Sequence, residues 1–333
     1  MTAAVETMAY SGQVPWHGIG KNVSSDKQHT TEEWIEDAGL NWKVGMFPLT
    51  IMSKEQMMKF GIPQDIAEKY ENLHGEFVDR YCTVRMSDGS RLGSVGPAYT
   101  VLQNHDAFSW FQPFIDNGQC TVETAGALYN GQKVWVLAKI NRNPGMVDQD
   151  VLNKYLLLSN SHDGTMAVRI GTTMTRVVCA NTLTAAIRDK ASKLIRIRHT
   201  SSLNANLKNI RESIDAINDE MNATVSLYNK LRSKSINQND LRKYVKLVLE
   251  VDTEKPDSEL STRLTNTIDR IVGYAHNSPG CEGKNYFDAV QGVSYYVTHI
   301  YGRTNESRLD SAWFGVGNKM NQRALTIATD MAM

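Results

Sequence analysis

The chain has 333 residues, of which 41% are hydrophobic, and its 36 basic side chains balance its 36 acidic ones. This hydrophobic fraction predicts a packed core rather than disorder, and the neutral total excludes a uniformly basic protein. No apolar run approaches the ~20 residues needed to cross a bilayer, and no basic-then-apolar leader opens the sequence. We therefore expect a cytoplasmic protein without a membrane partner.

The distribution of charge along the chain and the spacing of the cysteines restrict the kinds of surface and site that we expect. Residues 1–80 carry 7 basic and 12 acidic side chains, whereas residues 169–198 carry 7 basic ones and a single acidic one, Asp189. A basic surface is therefore compatible with the neutral total. The four cysteines form no CxxC pair, so we predict free thiols and no zinc site.

Turn chemistry and periodicity predict mostly strands before residue 200. The dipeptides Asp88-Gly89, Asn130-Gly131 and Asp163-Gly164 each separate two β-type runs, which is typical of β-hairpins. The predicted strands cover residues 42–44, 47–49, 77–85, 91–95, 121–128, 133–140, 155–160, 166–170 and 176–179. The predicted helices cover residues 31–38, parts of 53–72, residues 104–116 and a segment that begins near residue 183.

Beyond residue 200, apolar residues recur at helical spacing and predict helices over 202–232, 241–249, 261–275 and 285–301. The fold class that follows is α+β, an antiparallel β-sheet with hairpins packed against helices and then a helical C-terminal region. Residues 77–178 are expected to form most of one sheet. The predicted domains are an α+β core over 1–200 and a helical region over 201–333, which either continues that core or stands apart. The long apolar helix stripes predict a homo-oligomer.

Two segments resemble the signature blocks of a known family. They are QVPWHGIG over residues 13–20 and SHDGTMAVRIGTTMTRVVCANTL over residues 161–183. The family is that of phage/plasmid-like proteins, whose shared domain has no known function. This resemblance, which spans roughly residues 8–324, implies a mobile element in a bacterial host. In layout the chain is also similar to single-strand annealing proteins of the Red-beta and RecT kind, which implies DNA annealing by a homo-oligomer, with a ring as the specific guess.

The basic segment supplies the first candidate site. Alternating charged and apolar residues over 194–198 predict an edge strand with one charged face. Such charges either protect the edge from aggregation or contact a phosphate backbone. The candidate nucleic-acid-binding residues are Arg169, Arg176, Arg188, Lys190, Lys193, Arg196 and Arg198.

An anion pocket at the predicted helix N-terminus near residue 183 is the second candidate, because free backbone N–H groups favour anions there. Its members are His162, Asp163, Asn181 and Thr182. His162 and Asp163 suit either an acid–base pair or, with Gly164, the tip of a tight turn, and the turn is favoured because it requires Asp-Gly. Cys179 is interpreted as a buried thiol, and Trp16 with His17 as a core anchor or a pocket wall.

No complete catalytic set, nucleotide-binding glycine motif or metal-ligand spacing occurs, so neither a catalytic residue nor a cofactor is predicted, and an enzymatic function is not favoured. The leading hypothesis is a mobile-element protein that binds single-stranded DNA and anneals strands in recombination or replication. Two alternatives remain: a binding protein or enzyme for a nucleotide or another small anion, and a host-defence antagonist that acts through protein contacts.

Overall fold

The structure is a computed structural model of the chain. It describes residues 5–12, 20–23, 29–141, 145–176, 182–184, 195–211, 214–304, 307–308, 311–312 and 315–333. Across these residues strands precede residue 200 and helices dominate after it, which confirms the predicted α+β class. None of the helices in this part of the chain has the length and apolar character that a membrane span requires.

Twelve strands form two sheets among the described residues. They are β1 (Val5–Ser11), β2 (Lys21–Val23), β3 (Val44–Thr50), β4 (Phe77–Arg85), β5 (Arg91–Val95), β6 (Cys120–Leu128), β7 (Lys133–Ile140), β8 (Gly145–Val147), β9 (Asp150–Ser161), β10 (Val168–Arg176), β11 (Thr182–Thr184) and β12 (Ile195–Ile197). The large sheet has the order β11-β10-β9-β7-β6-β1-β2, with β8 beside β9 and β12 beside β10. The small sheet has the order β3-β4-β5. All these pairs are antiparallel except β1 with β2.

Short helices accompany the strands, and longer helices follow them. They are α1 (Thr31–Asp37), α2 (Lys54–Lys59), α3 (Gln64–Lys69), α4 (Asn104–Ser109), α5 (Gln112–Asp116), α6 (Leu203–Arg211), α7 (Ile214–Arg232), α8 (Gln238–Val248), α9 (Thr262–Asn277), α10 (Tyr286–Tyr295) and α11 (Val316–Ala332). A π-helical turn, Tyr296–Ile300, continues α10.

The three turn signals lie where hairpins are found. At the β6–β7 turn, Asn130 and Gly131 have φ angles of 56° and 86°, and at the other two turns Gly89 and Gly164 have φ angles of 74° and 75°. These left-handed conformations favour Gly and Asn, so the local sequence is sufficient to predict the hairpins β4–β5, β6–β7 and β9–β10.

The prediction that residues 77–178 form most of one antiparallel sheet holds for β6 to β10 and is wrong for β4 and β5. β4 and β5 pair with β3 and form the separate small sheet. The connection between β5 and β6 contains α4 and α5, so the chain leaves the small sheet before β6 begins. Hairpin signals identify which strands are neighbours along the chain, but they do not show which hairpins share a sheet.

The helix predicted from residue 183 is also wrong. Thr182–Thr184 is β11, which is antiparallel to β10 with Met174 opposite Leu183. Threonine favours strands, and the free edge of β10 provides the hydrogen-bonding partner. In addition, α11 has no counterpart among the predicted helices, because its buried face consists partly of the small residues Ala324 and Ala328, which produce little hydrophobic periodicity.

One face of the large sheet packs on the helices. Its fully buried residues include Val136, Leu158 and Ile170, and they belong to a hydrophobic cluster that extends from β1 to α11. The opposite face carries a second cluster around Trp135 and Tyr155. The first cluster continues past residue 200, while the division into domains 1–200 and 201–333 stays a prediction.

Two helical glycines test how closely α9 and α10 approach each other. A methyl group on Gly292 would lie 2.7 Å from the backbone N of Ala275 and 2.8 Å from the backbone O of Ile271, whereas one on Gly273 would have no neighbour within 4 Å. We expect Gly292→Ala to lower the free energy of unfolding by roughly 1–3 kcal/mol, because the α9 backbone must move. The matched control Gly273→Ala should raise it by up to ~1 kcal/mol. Equal effects in urea denaturation would contradict the close contact.

Candidate functional site

The turn after β9 carries a buried histidine. His162 has no exposed surface, and its Nε2 lies 2.9 Å from Oδ1 of Asn104, the first residue of α4. The Trp42 ring contacts the imidazole edge-on, with 5.4 Å between ring centroids. This histidine is therefore a core residue and does not project from the turn into solvent.

Further hydrogen bonds join this turn to four other segments. The backbone N–H of His162 donates to Gln132 O at 2.7 Å, and the Thr83 hydroxyl of β4 donates to His162 O at 2.7 Å. Asn104, itself 1% exposed, donates through Nδ2 to Leu40 O at 3.0 Å. The turn thus connects the small sheet, the β6–β7 turn, α4 and the segment after α1.

Asp163 has a different set of partners. Its Oδ1 accepts hydrogen bonds from the Thr165 backbone N–H at 2.9 Å, from the Thr165 hydroxyl at 2.6 Å and from the Ser161 hydroxyl. The backbone of Gly93 in β5 lies so close that an added Cβ would be 2.5 Å from Asp163 Cα. Because the carboxylate bonds within its own turn while His162 bonds to Asn104, the two side chains do not form an acid–base pair.

A second histidine belongs to the same network. His199 is buried, its Nδ1 lies 2.9 Å from Thr100 O, and its ring stacks on Tyr99 at 4.5 Å between centroids. The Tyr99 hydroxyl donates to Ser161 O at 2.6 Å, and burial raises the pKa of this phenol. The sequence contains no local signal for this pairing, since about 40 residues separate His162 from His199.

Burial also determines the charge of the two imidazoles. It lowers the pKa of His162 from 6.5 to about 3, with a smaller lowering contribution from His199 and an opposing one from Asp163. Burial lowers the pKa of His199 as well. Both rings are therefore neutral near pH 7. Two buried atoms, Nδ1 of His162 and Oδ1 of Asn160, have no hydrogen-bond partner among the residues that the structure describes.

The predicted basic edge strand is β12. It pairs with β10 so that Arg196 is directly opposite Arg169 and Ile197 opposite Val168. Ile197 is buried, whereas Arg196 and Arg198 are exposed and Arg169 is half-buried. Arg176 is the last residue of β10. The remaining basic candidates, Arg188, Lys190 and Lys193, lie outside the described residues.

The four residues of the predicted anion pocket do not come together. Thr182 pairs with Thr175 at one end of β10, whereas His162 lies beyond the other end, next to Val168. The seven residue-to-residue steps from Val168 to Thr175 span roughly 23 Å at ~3.3 Å per step. Asn181 lies outside the described residues.

β11 instead packs against α10 and α11, which carry buried polar side chains. Gln291, Ser294 and Thr298 follow one face of α10 and its π-helical continuation, and Asn321 lies on α11; each is at most 5% exposed. Neither amide atom of Asn321 has a hydrogen-bond partner in the described structure. This polar set was not predicted from the sequence, although polar residues at spacings of three and four in an apolar helix are a readable signal.

The described residues provide no site for metal binding and no exposed cysteine. No group of three or more His, Cys, Asp or Glu residues there has a metal-binding arrangement. Cys120 and Cys281 are buried, Cys82 is half-buried, and none of the three forms a disulfide with another described cysteine. Cys179 and the Trp16-His17 pair lie outside the described residues.

The buried histidine has a measurable consequence for stability. Between pH 6.5 and about 3 the unfolded chain protonates His162 while the folded chain does not, so stability falls as the pH falls. The expected slope is about 1.4 kcal/mol per pH unit for this group. Urea denaturation between pH 6.5 and 5 should show the slope reduced by that amount in His162→Gln. An unchanged slope in His162→Gln would contradict the neutral buried imidazole.

Comparison with known proteins identifies a family whose function is unknown. Residues 91–313, about two thirds of the chain, match the model of a family described as a domain of unknown function, DUF932. No curated protein matches the chain. No solved structure matches it either. The matched span runs from β5 through α10 and therefore contains the His162 turn and β12. The chain belongs to the DUF932 family.

Proposed function

We propose that this protein binds single-stranded DNA through its phosphate backbone and anneals strands during recombination or replication of a phage or plasmid. The observation that carries the proposal is the basic edge of the large sheet, where Arg196 and Arg198 are exposed and Arg169 lies opposite Arg196. Cations in a line along one strand suit a polyanion, and they require no base-specific contacts.

The register between β10 and β12 favours phosphate binding over the alternative, in which the charges only protect the edge from aggregation. Residues directly opposite each other in an antiparallel pair point to the same face, so Arg169 and Arg196 concentrate like charge. Like charges opposite each other destabilise a sheet, whereas scattered lysines protect an edge without that cost. A phosphate backbone bound along this face adds an anionic partner for both arginines. The homo-oligomer, and the ring implied by the annealing-protein resemblance, belong to the same proposal.

A small-anion or nucleotide site is the second candidate. It is favoured by the buried amide of Asn321, which has no hydrogen-bond partner in the described structure, beside the polar face of α10 and near β11. Buried amides without partners are costly unless a ligand or water satisfies them. Titration of a nucleoside triphosphate against the wild type and Asn321→Leu distinguishes this candidate, because only a ligand held by the amide loses affinity in the variant.

The DNA proposal predicts a salt-dependent loss on removal of two charges. Arg196→Ala with Arg198→Ala should weaken the binding of a fluorescent oligonucleotide by about one to two orders of magnitude at low salt. The slope of log K against log salt should also become shallower by roughly 0.7 for each lost phosphate contact. Affinity should be nearly independent of base sequence. Fluorescence anisotropy at several salt concentrations measures both quantities.

The matched control removes the same charge from another surface. Arg263 and Arg270 are exposed on α9, and alanine at both positions should leave affinity and salt slope close to those of the wild type. Equal losses in the two double variants would indicate a general charge effect. Salt-insensitive binding by the wild type would show the backbone-contact proposal to be wrong.

A further inference from the structure

The connection between β3 and β4 is an arm, defined as residues 51–76, which contains α2 and α3. Its ends are held together where the Ile51 N–H donates to Glu76 O and the Gly75 N–H donates to Ile51 O, both at 3.1 Å. α2 and α3 pack on each other, and neither makes an extended contact with another described helix or strand outside the arm. The buried part of the arm is small and includes Met57. The arm therefore extends from the small sheet as a helical pair.

Exposed hydrophobic side chains concentrate on this arm and on the strands that carry it. Of the twelve large hydrophobic side chains exposed in the described structure, nine lie within residues 47–86. They include Phe47, Met58, Ile66 and Phe77, each more than 40% exposed, and Phe60 at 78%. If each exposes about half of the ~200 Å² of a large side chain, they offer roughly 1,000 Å² in total. A standard interface uses about 800 Å² per partner, so the arm and these strands together expose enough apolar surface for one.

The charges of this region argue against a charged partner. Residues 44–86 carry 5 basic and 6 acidic side chains. Several of these charges pair locally, since Lys54 lies 3.1 Å from Glu68, and Arg85 lies 2.9 Å from Asp88. A nearly neutral surface has no long-range attraction for nucleic acid or an anionic membrane. What remains is a partner of similar chemistry, apolar at its centre with mixed charge around it.

We infer that this partner is a second copy of the same chain, bound through the same arm about a two-fold axis. A two-fold contact places each patch against itself, and an apolar, charge-balanced patch is complementary to itself. A second copy is always produced together with the first one, so it is available to cover the patch permanently. The DUF932 match begins at residue 91, so this dimer contact lies outside the matched domain. The inference supplies a contact for the homo-oligomer of the proposed function, and it does not depend on DNA binding, because the arm and β12 are different surfaces.

The test uses the full chain and light scattering after size-exclusion chromatography. Without DNA, at micromolar concentration, the wild type should have twice the mass of one 37.3 kDa chain. A two-fold contact closes at two copies, so the ring of the proposed function needs a second contact and is expected only on DNA. Phe60→Glu with Ile66→Glu places buried charge in the contact, so it should raise the dimer dissociation constant by at least about tenfold and return the mass of one chain. The matched control is Met146→Glu with Val316→Glu, which changes two exposed hydrophobic residues elsewhere and should stay dimeric.

A second variant distinguishes loss of the dimer contact from misfolding of the substituted arm. Replacing residues 51–76 by Asn-Gly joins β3 to β4 through a tight turn and should also give a single-chain mass. A wild type with the mass of one chain, or a dimer that survives removal of the arm, overturns the inference. A single-chain wild type that sediments with phosphatidylcholine vesicles shows that the patch is a membrane contact instead. The arm variants should bind the oligonucleotide with the affinity of the wild type. This measurement therefore separates failure of the dimer inference from failure of the DNA proposal.

Discussion

The buried turn after β9 is the constraint on which the relative position of the two sheets depends, and the hydrogen bond between His162 and Asn104 fixes this turn on α4. Both side chains are almost completely buried, so each needs the other to replace lost water. The same turn accepts the Thr83 hydroxyl of the small sheet and lies against Gly93 of β5. A neutral imidazole avoids the desolvation cost of a charge and donates through Nε2 to Asn104, which explains why burial of His162 is tolerated.

Much of the fold was predictable because its signals are local. An Asn-Gly or Asp-Gly turn between two β-type runs specifies a hairpin within about twenty residues, and all three predicted hairpins are present. The small sheet was not predictable, because the pairing of Val44 with Arg85 joins residues on either side of the arm. β11 was mistaken for a helix because its strand character depends on the free edge of β10, a tertiary feature that no local pattern shows.

The site was less predictable than the fold for the same reason. The His162-Asp163 sequence suggests acid–base chemistry when the residues are considered alone, yet the structure assigns one side chain to the core and the other to its own turn. The neighbours that decide this, Asn104 and His199, are distant in sequence. The basic edge strand was predictable because alternation within 194–198 is sufficient to place arginines on one face of a strand. Its partner Arg169 follows only from the register with β10.

The neutral total charge therefore conceals two surfaces of opposite character. The arm and the small sheet are apolar and nearly balanced in charge, whereas β12 concentrates arginines at the edge of the large sheet. A chain that both associates with itself and binds a polyanion benefits from this separation, since cations inside a contact between identical copies would face each other and repel. The contact that the turn after β9 makes with β5 allows the separation, because it holds the small sheet in place through buried neutral groups and leaves the charged edge free for a ligand.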